Sequence, residues 1–524
     1  MMPHTTKTTP QKFETVRIPR ILSMVYLAAV LFYATWWLDF SHVGSWVLYG
    51  ALLIAEIYHV WQVVGYLYTV WRIDDVVYVK PKEYPPVDIF ITVCGEPREI
   101  VEQTVAAAKL IDYPDLKVHI LNDGLVAGMA NWRDIEDLGR DHNVDVITRT
   151  TPGGAKAGNI NHALSVTTAP FFALFDADHV PHKDYLMRTI GHMNDPKMAF
   201  VQTPQYYKNR DDNFITRGAW EQQELFFGPI CQGKNRMNAT FWCGTNALIR
   251  RRALLDAGGV PEKSIAEDFL ASLFIHERGW KSLYLPEILA HGLAPIDLEA
   301  YSAQQYRWAR GSLDVMFKYN PLFRKGLTFA QKMQYLYSAG YYLNGLVVLM
   351  DAFIPLFFLF FGVVPVDDYT GNFVIYFAPF IFLTLYFLIR STAYTITFRA
   401  IQLTIAASFV FLMALIASVT GKQTRFKVTS KVVHDKGNFI SYAIPNMVYV
   451  LVGVIGVVFA LNRDGVTPAV ITNASWVLFN VVFFWPFIQE AYPWRAVATD
   501  FVQQAMGIFK KGPLVSSKII TPSE

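Results

Sequence analysis

With 524 residues, 53% of them hydrophobic and only 17% charged, the chain has room for two or three domains and is too apolar to be wholly water-soluble. Its net charge of +3 is small and spread along the sequence, which excludes nucleic acid as a partner. The three cysteines, Cys94, Cys231 and Cys243, fall in segments read as cytoplasmic and lack the paired spacing of a zinc site, so disulfides are not expected.

Residues 1 to 84 read as an N-terminal membrane region. Lys7, Lys12, Arg17 and Arg20 precede an apolar run from Ile21 to about Phe40; about 20 residues at roughly 1.5 Å each cross the hydrocarbon layer. Cations ahead of the run place the N-terminus inside. Ser41 to Gly44 carries no Lys or Arg, and a second span from about Ser45 to Trp71 returns to Arg72, Lys80 and Lys82. No cleavage site separates the two runs, so both are kept as membrane helices.

From residue 85 to 320 short apolar runs alternate with helix-like stretches, the pattern of an α/β domain. Val87 to Val93 is a strand that breaks at Gly95-Glu96-Pro97, and Leu116 to Leu121 is a second one that ends in Asn122-Asp123-Gly124. A third run, Phe171 to Phe175, delivers Asp176 and Asp178 to one point. In an open parallel sheet the ligand lies beyond the carboxyl ends of the strands, so Glu96, Asp123, Asp176 and Asp178 are expected on one edge. Thr151 to Leu164 adds two glycines and Lys156 at a helix start, an anion seat.

Residues 321 to 495 read as a C-terminal membrane region. Spans at about Gly340 to Val364 and Asn372 to Ile389 are joined by a cation-free loop that holds Asp367 and Asp368. The next apolar segment, about residues 400 to 420, is flanked by Arg399 and by Lys422, Arg425, Lys427 and Lys431. Both of its ends look cytoplasmic, which predicts an interfacial helix rather than a crossing. Residues 421 to 440 follow as a loop, and spans at about Tyr442 to Leu461 and Thr472 to Phe487 bring the total to six. Arg495, Lys510 and Lys511 put the tail, 496 to 524, inside.

Three groups of residues carry chemistry. Asp176 and Asp178 suit a Mg²⁺ or Mn²⁺ ion that shares a sugar nucleotide's diphosphate, the plain alternative being a strand that ends in a solvated turn. Glu267 and Asp268 precede the apolar helical run Phe269 to His276, either as an N-cap or as a carboxylate that takes a proton from a sugar hydroxyl. Gln304, Arg307 and Trp308 share a helix face, offering an aromatic plate beside a cation.

Taken together, Asp123, DADH at 176 to 179, the acidic pair at 267 to 268 and QQYRW at 304 to 308 resemble the D, D, D, Q-x-x-R-W signature of processive family-2 glycosyltransferases. The bacterial cellulose-synthase-like group is the most similar. DYPDLKV at 112 to 118, KAGNINHAL at 156 to 164, VQTPQYY at 201 to 207, WCGTNALIRRRAL at 242 to 254 and FKVTSK at 426 to 431 extend the resemblance over residues 85 to 435. FKVTSK is similar to the gating loop of cellulose synthases.

The resemblance implies a glycosyltransferase A-type (Rossmann-like) α/β domain inserted between transmembrane helices, in a multi-pass protein of the bacterial inner membrane with its catalytic domain in the cytoplasm. Asp123 would bind uridine, Lys156 and Asp176 the diphosphate, with Glu96 at the same nucleotide site, and Asp178 would share a Mg²⁺ or Mn²⁺ ion with Asp176. Asp268 would be the general base. Trp308 would stack the acceptor, with Gln304, Cys243 and Gly244 beside it, and Arg307 would face the diphosphate. Phe426, Val428 and Thr429 would close over the nucleotide. The implied activity is inverting polymerisation of a β-glucan, β-1,4 or curdlan-type β-1,3, from UDP-glucose, with the growing chain exported across the bilayer and accessory export subunits as partners. An amino-sugar polymer of the chitin or hyaluronan type, and an export channel without chemistry, are the alternatives.

Three departures from the group's pattern bear on linkage. Val93-Cys94-Gly95-Glu96 replaces a T-Y-N-E-like turn, Ile265-Ala266 stands where threonines precede the acidic pair, and Gly244-Thr245-Asn246 replaces a G-S pattern. With so few residues after the last span, a cyclic-di-GMP-binding PilZ domain is not expected within this chain.

Overall fold

The computed structural model describes residues 11–367, 371–422 and 439–492. Among these residues ten strands form two sheets: β1 (Val87–Val93), β2 (Leu116–Asn122), β3 (Asp145–Thr148), β4 (Phe171–Asp176), β5 (Val180–Pro181), β6 (Met198–Gln202), β7 (Tyr206–Tyr207), β8 (Ala247–Arg250), β9 (Lys281–Tyr284) and β10 (Ala290–Gly292). The large sheet runs β3-β2-β1-β4-β8-β6-β9, and a small one runs β5-β10-β7. All seven residues of β1 are buried, because separate apolar clusters cover the two faces of the sheet. A strand covered on both sides reads as a continuous apolar run. Its one charge, Asp88, is held 3.1 Å from Arg251 and 3.2 Å from His119.

The sheet is mixed, not parallel throughout as the strand pattern suggested. From β3 to β4 every pairing is parallel, but β8 is antiparallel to both β4 and β6. The reason lies in the Cys243–Asn246 loop, which stands at the carboxyl edge and feeds β8 into the sheet from that end; Asn246 donates its N–H to the Leu174 carbonyl at 2.8 Å.

Among the described residues six helical stretches are long and apolar enough to cross a membrane, or seven if the bent pair below counts as one span: Arg20–Trp37, Trp46–Val70, Phe329–Phe361, Phe373–Ser391, Ile440–Asp464 and Pro468–Glu490. The third is two helices, Phe329–Gly340 and Asn344–Phe361, joined by a tight turn at Tyr341–Leu343. Between the fourth and fifth, Phe398–Ala406 and Ser408–Thr420 form a pair bent by 42°. This pair packs against the domain: Leu403, Ala406, Val410 and Phe411 share one cluster with Ile215, Trp220, Tyr301 and Ala309.

A buried carboxylate fixes the start of the bent pair. Glu221, on the domain's Phe214–Leu225 helix, accepts from Thr397 N–H at 3.2 Å, Thr397 Oγ1 at 2.5 Å and Ala400 N–H at 3.3 Å. Orphan N–H groups at a helix start are thus satisfied from the domain.

Candidate active site

Parallel pairing in β1, β2 and β4 brings their carboxyl ends level, with Thr92 opposite Asp176 and Val93 opposite Asn122. Asp176 is fixed from three sides: Thr92 Oγ1 donates to Oδ1 at 3.2 Å, its own N–H reaches Thr245 Oγ1 at 2.9 Å, and the Lys156 ammonium sits on Oδ1. Lys156 enters from the Ala155–Val166 helix, which starts after Gly153 and Gly154 at φ +134° and +68°, conformations that glycine adopts without strain. Its Nζ also donates to the Gly244 carbonyl at 2.8 Å. Burial opposes ionisation of Asp176, but Lys156 and His179 outweigh it and hold the carboxyl below its usual range.

Gly244 ties this group to the acidic pair. It has φ +81°, and a Cβ there would lie 2.9 Å from Asp268 Oδ2 and 3.8 Å from Lys156 Nζ. The loop is clamped by Gln202, whose Nε2 donates to the Thr245 carbonyl and whose Oε1 accepts from Cys243 N–H, both at 2.8 Å. The acidic pair is not an N-cap: Ala266 occupies that position, and Glu267 and Asp268 lie in the first helical turn. Phe269 N–H donates to Asp268 Oδ1 at 2.7 Å. Burial pushes both carboxyls up; Asp268 adds to the rise at Glu267, while Lys156 pulls both back. A carboxylate raised in this way is a better proton acceptor near neutrality.

Asp123 is closed into the sheet edge, with Arg149 donating Nε to Oδ1 at 2.8 Å and Nη2 to Oδ2 at 2.9 Å. Glu96 folds back so that Oε2 accepts from Cys94 N–H at 2.6 Å. Burial raises the Glu96 carboxyl, with a further push from Asp178 and Asp176. Burial also drives the Cys94 thiol up to about 12, so it is neutral there.

Asp178 is buried and accepts from Leu293 N–H at 3.1 Å through Oδ2. Its Oδ1 lies 3.5 Å from His179 Nδ1, and neither ring nitrogen of the buried His179 has a hydrogen-bond partner among the described residues. Gly292 lies over that ring, leaving no room for a side chain. Asp176 and Asp178 offer carboxylate oxygens of the kind a hard divalent ion takes, whereas imidazole suits softer metals. Among the described residues no group of three or more metal-ligating side chains converges.

The Leu298–Lys318 helix closes the site. Gly311 abuts Ala266 so closely that no side chain fits between them, which sets Arg307 in the field of Glu267, Asp176 and Asp268. Gln304 hydrogen-bonds Tyr207, whose ring stands near Asp178 and Asp176. Trp308 is half-buried on the same helix. A cavity of about 500 Å³ opens here, its lining including Lys156, Glu267, Arg307, Val410, Met413 and Tyr442. Phe426, Val428 and Thr429 lie outside the described residues.

The sequence reading gave no role to Arg149, Gln202, Thr245, Tyr207 and Gly311, although Gln202 and Tyr207 lie in the 201 to 207 segment and Thr245 in the 242 to 254 segment; each acts by holding another residue in place. For Arg149 the one signal was a cation after an apolar strand beside the Gly153-Gly154 turn.

Residues 171–419 match the model of the family described as glycosyl transferase family group 2. The chain is 33% identical over 506 residues, 88% of its length, to the UDP-forming cellulose synthase catalytic subunit of Pseudomonas fluorescens, and covers 65% of that protein. It is 31% identical over 88% of its length to putative cellulose synthase 2 of Komagataeibacter xylinus, covering 32% of it. To the catalytic subunit of Xanthomonas axonopodis it is 34% identical over 63% of its length, covering 46%. The chain therefore spans less than two thirds of each of these relatives. Among solved structures, a mannosyltransferase of Pyrobaculum calidifontis in complex with GDP-Man and Mn²⁺ overlaps 77% of this chain and all of that one, with TM-score 0.48 and 16% identity.

Proposed function

The chain is a family-2 glycosyltransferase related to the bacterial cellulose synthase catalytic subunits, and from that premise we propose that it is a membrane-embedded, processive, inverting β-glucan synthase. It extends the polymer from UDP-glucose and exports it between its own helices. The observation that carries this reading is the meeting of Asp176, Lys156, Gly244 and Asp268 at one edge of the sheet. A donor-phosphate seat and a raised carboxyl are placed side by side there, as a single displacement requires.

In this reading Asp123 and Arg149 shape the uridine end, and Lys156 and Arg307 meet the diphosphate. Asp176 and Asp178 would hold a divalent cation, and the chemistry such an ion would supply is neutralisation of charge on the departing diphosphate. Asp268 Oδ2 accepts the proton of the acceptor hydroxyl as that oxygen attacks the anomeric carbon, and no covalent enzyme intermediate forms. Trp308 carries the acceptor ring by stacking, beside Gln304, Cys243 and Gly244, so that the chain end stays bound between additions. Residues 85 to 320 act as the cytoplasmic domain, the six apolar helices cross the bilayer, and the bent pair lies at its surface. Accessory export subunits join it on the far side.

Purified protein incubated with UDP-glucose and Mg²⁺ or Mn²⁺ should release UDP and form a polymer that is digested by a β-1,4- or a β-1,3-specific glucanase. Polymer formed from UDP-N-acetylglucosamine instead moves the reading to an amino-sugar synthase, and absence of UDP release with every donor removes the enzyme.

A further inference from the structure

Where the α/β domain passes into the first helix after it, a corner carries apolar side chains that the rest of the chain leaves uncovered. It is built from the end of the Leu298–Lys318 helix, the short Pro321–Phe323 turn and the start of the Phe329–Gly340 helix. Leu322, Phe323 and Phe329 are exposed there, Phe323 at 81% and Phe329 at 73%. From Arg310 to Lys332 the sequence places five cations, Arg310, Lys318, Arg324, Lys325 and Lys332, beside one carboxylate, Asp314. Asp314 is shared by Arg310 and Lys318, each at 3.0 Å. Glu277 comes in from a neighbouring helix and is taken up by Arg324 at 2.6 Å. Lys325 is exposed, and the Lys332 ammonium donates to the Leu322 carbonyl at 2.8 Å. The corner is thus cationic as well as apolar.

Contacts with the Trp46–Val70 helix fix its depth. The two helices run antiparallel: Tyr58 Oη donates to the Tyr341 carbonyl at 2.9 Å, Gly340 abuts Trp61 and Gly65 abuts Tyr337 with no room for a Cβ, and Gln334 Nε2 donates to Thr69 Oγ1 at 2.9 Å. Moving from Tyr58 up to Thr69 on one helix therefore means moving from Tyr341 back to Gln334 on the other. The apolar run that holds Thr69 stops at Trp71, and Arg72 follows, so Thr69 and Gln334 stand at the edge of the hydrocarbon.

Phe329 comes five residues before Gln334, about 7.5 Å further out at the helical rise. The headgroup layer on each side of a bilayer is about 5–8 Å thick, so Phe329 falls within it. The Pro321–Phe323 turn is at a similar height, because Lys332 holds its Leu322 carbonyl. Ser418 gives a second tether: from the bent pair proposed to lie at the bilayer surface, it donates to Asp314 Oδ1 at 2.5 Å.

We propose that this corner is a docking site for the headgroups of anionic phospholipids. Phe323 and Phe329 enter between headgroups, the level at which aromatic side chains are favoured, and Lys318, Lys325 and Lys332 meet phosphate oxygens. A zwitterionic surface offers the same apolar contact without the complementary charge. The site rests on the reading in which Trp46–Val70 crosses the bilayer, and it adds a lipid to that reading. The lipid seats the Leu298–Lys318 helix, which carries Arg307 and Gly311 into the active site.

The test uses the full-length protein, one chain per lipid nanodisc. Phe323→Cys, or Phe329→Cys if the first does not fold, carries a fluorophore, and wild-type labelling is subtracted for the native cysteines. Phosphatidylglycerol or phosphatidylcholine, brominated high on the acyl chain and at equal mole fraction, serves as quencher. The anionic lipid should quench about two- to threefold more strongly. Combining Lys318→Gln, Lys325→Gln and Lys332→Gln, or adding about 1 M salt, should bring the ratio to one. Equal quenching in the starting protein overturns the site, and so does no quenching, which assigns the corner to water or to a protein partner. A label at Ile57→Cys, 55% exposed on Trp46–Val70, separates the two readings. Quenched by both lipids, it upholds the crossing whatever Phe323 shows; unquenched, it removes the crossing and the docking site together.

Discussion

Arg149 holds Asp123 by two parallel hydrogen bonds of 2.8 and 2.9 Å, with both side chains almost wholly buried. Burial alone would raise the Asp123 carboxyl, and the guanidinium works against that rise. Arg149→Ala strands a buried carboxylate, a change worth about 3–5 kcal/mol. The expected outcome is a lower thermal midpoint and weak UDP binding by calorimetry, with Arg149→Lys in between because an ammonium cannot reproduce the fork. Unchanged UDP affinity in a folded Arg149→Ala protein would detach the pair from nucleotide binding.

Asp268→Asn should keep UDP binding and lower polymer formation by about 10²- to 10⁴-fold, the usual worth of a positioned base. Because burial raises the Asp268 carboxyl, the acid limb of kcat should lie above the ordinary carboxylate range, activity appearing as pH rises and the base loses its proton. A limb in the ordinary range would argue that another group takes the proton.

Gly311→Ala inserts a methyl against Ala266, where there is no space. Overpacking of this kind costs about 1–3 kcal/mol. It should also tilt Arg307 away from the acidic pair, so the variant should fold yet show a raised KM for the donor. A normal KM would mean that the two helices separate without moving the site.

Trp308→Ala should shorten the product, because the acceptor loses its platform, and Trp308→Phe should restore most of the length. Size-exclusion chromatography of labelled polymer measures this. Long chains from Trp308→Ala would give the residue a packing role.

His276 is buried between Tyr335 Oη and Ser282 Oγ, each at 2.8 Å, and burial depresses its pKa to about 3. The unfolded chain takes up a proton near the ordinary value while the folded one does not, so stability falls as pH drops through about 6.5 and continues to fall toward about 3, by about 2 kcal/mol at pH 5. In His276→Gln the thermal midpoint should change less between about pH 7 and pH 5; an equal change would place the acid sensitivity elsewhere.

How much of this was legible in the sequence follows from the reach of each signal. Strand ends were, because a fully covered strand is mostly apolar until it stops: Val87 to Val93, apart from Asp88 and Thr92, and Phe171 to Phe175 mark themselves, and the carboxylates that follow come with them. The apolar stretches were, because hydrocarbon thickness sets their length. Asp176, Lys156, Asp268 and Arg307 could be named in advance, since each sits in a run with its own spacing. That they converge could not be read, because Lys156 and Gly244 meet across 88 residues and no local pattern encodes such a contact.

The sequence by itself therefore determined the parts: an α/β domain between apolar helices, with its acidic residues at strand and helix ends. The tertiary structure decided three further things. β8 enters antiparallel because its feeding loop lies at the site end of the sheet, Arg149 closes on Asp123 because β3 pairs with β2 so that Thr148 stands opposite Asn122, and Glu56 and His59 meet Asp351 because their two helices share a rim at Ser45 and Val364. Each of these depends on where backbone far away in the chain comes to rest, and side-chain periodicity carries no information about that.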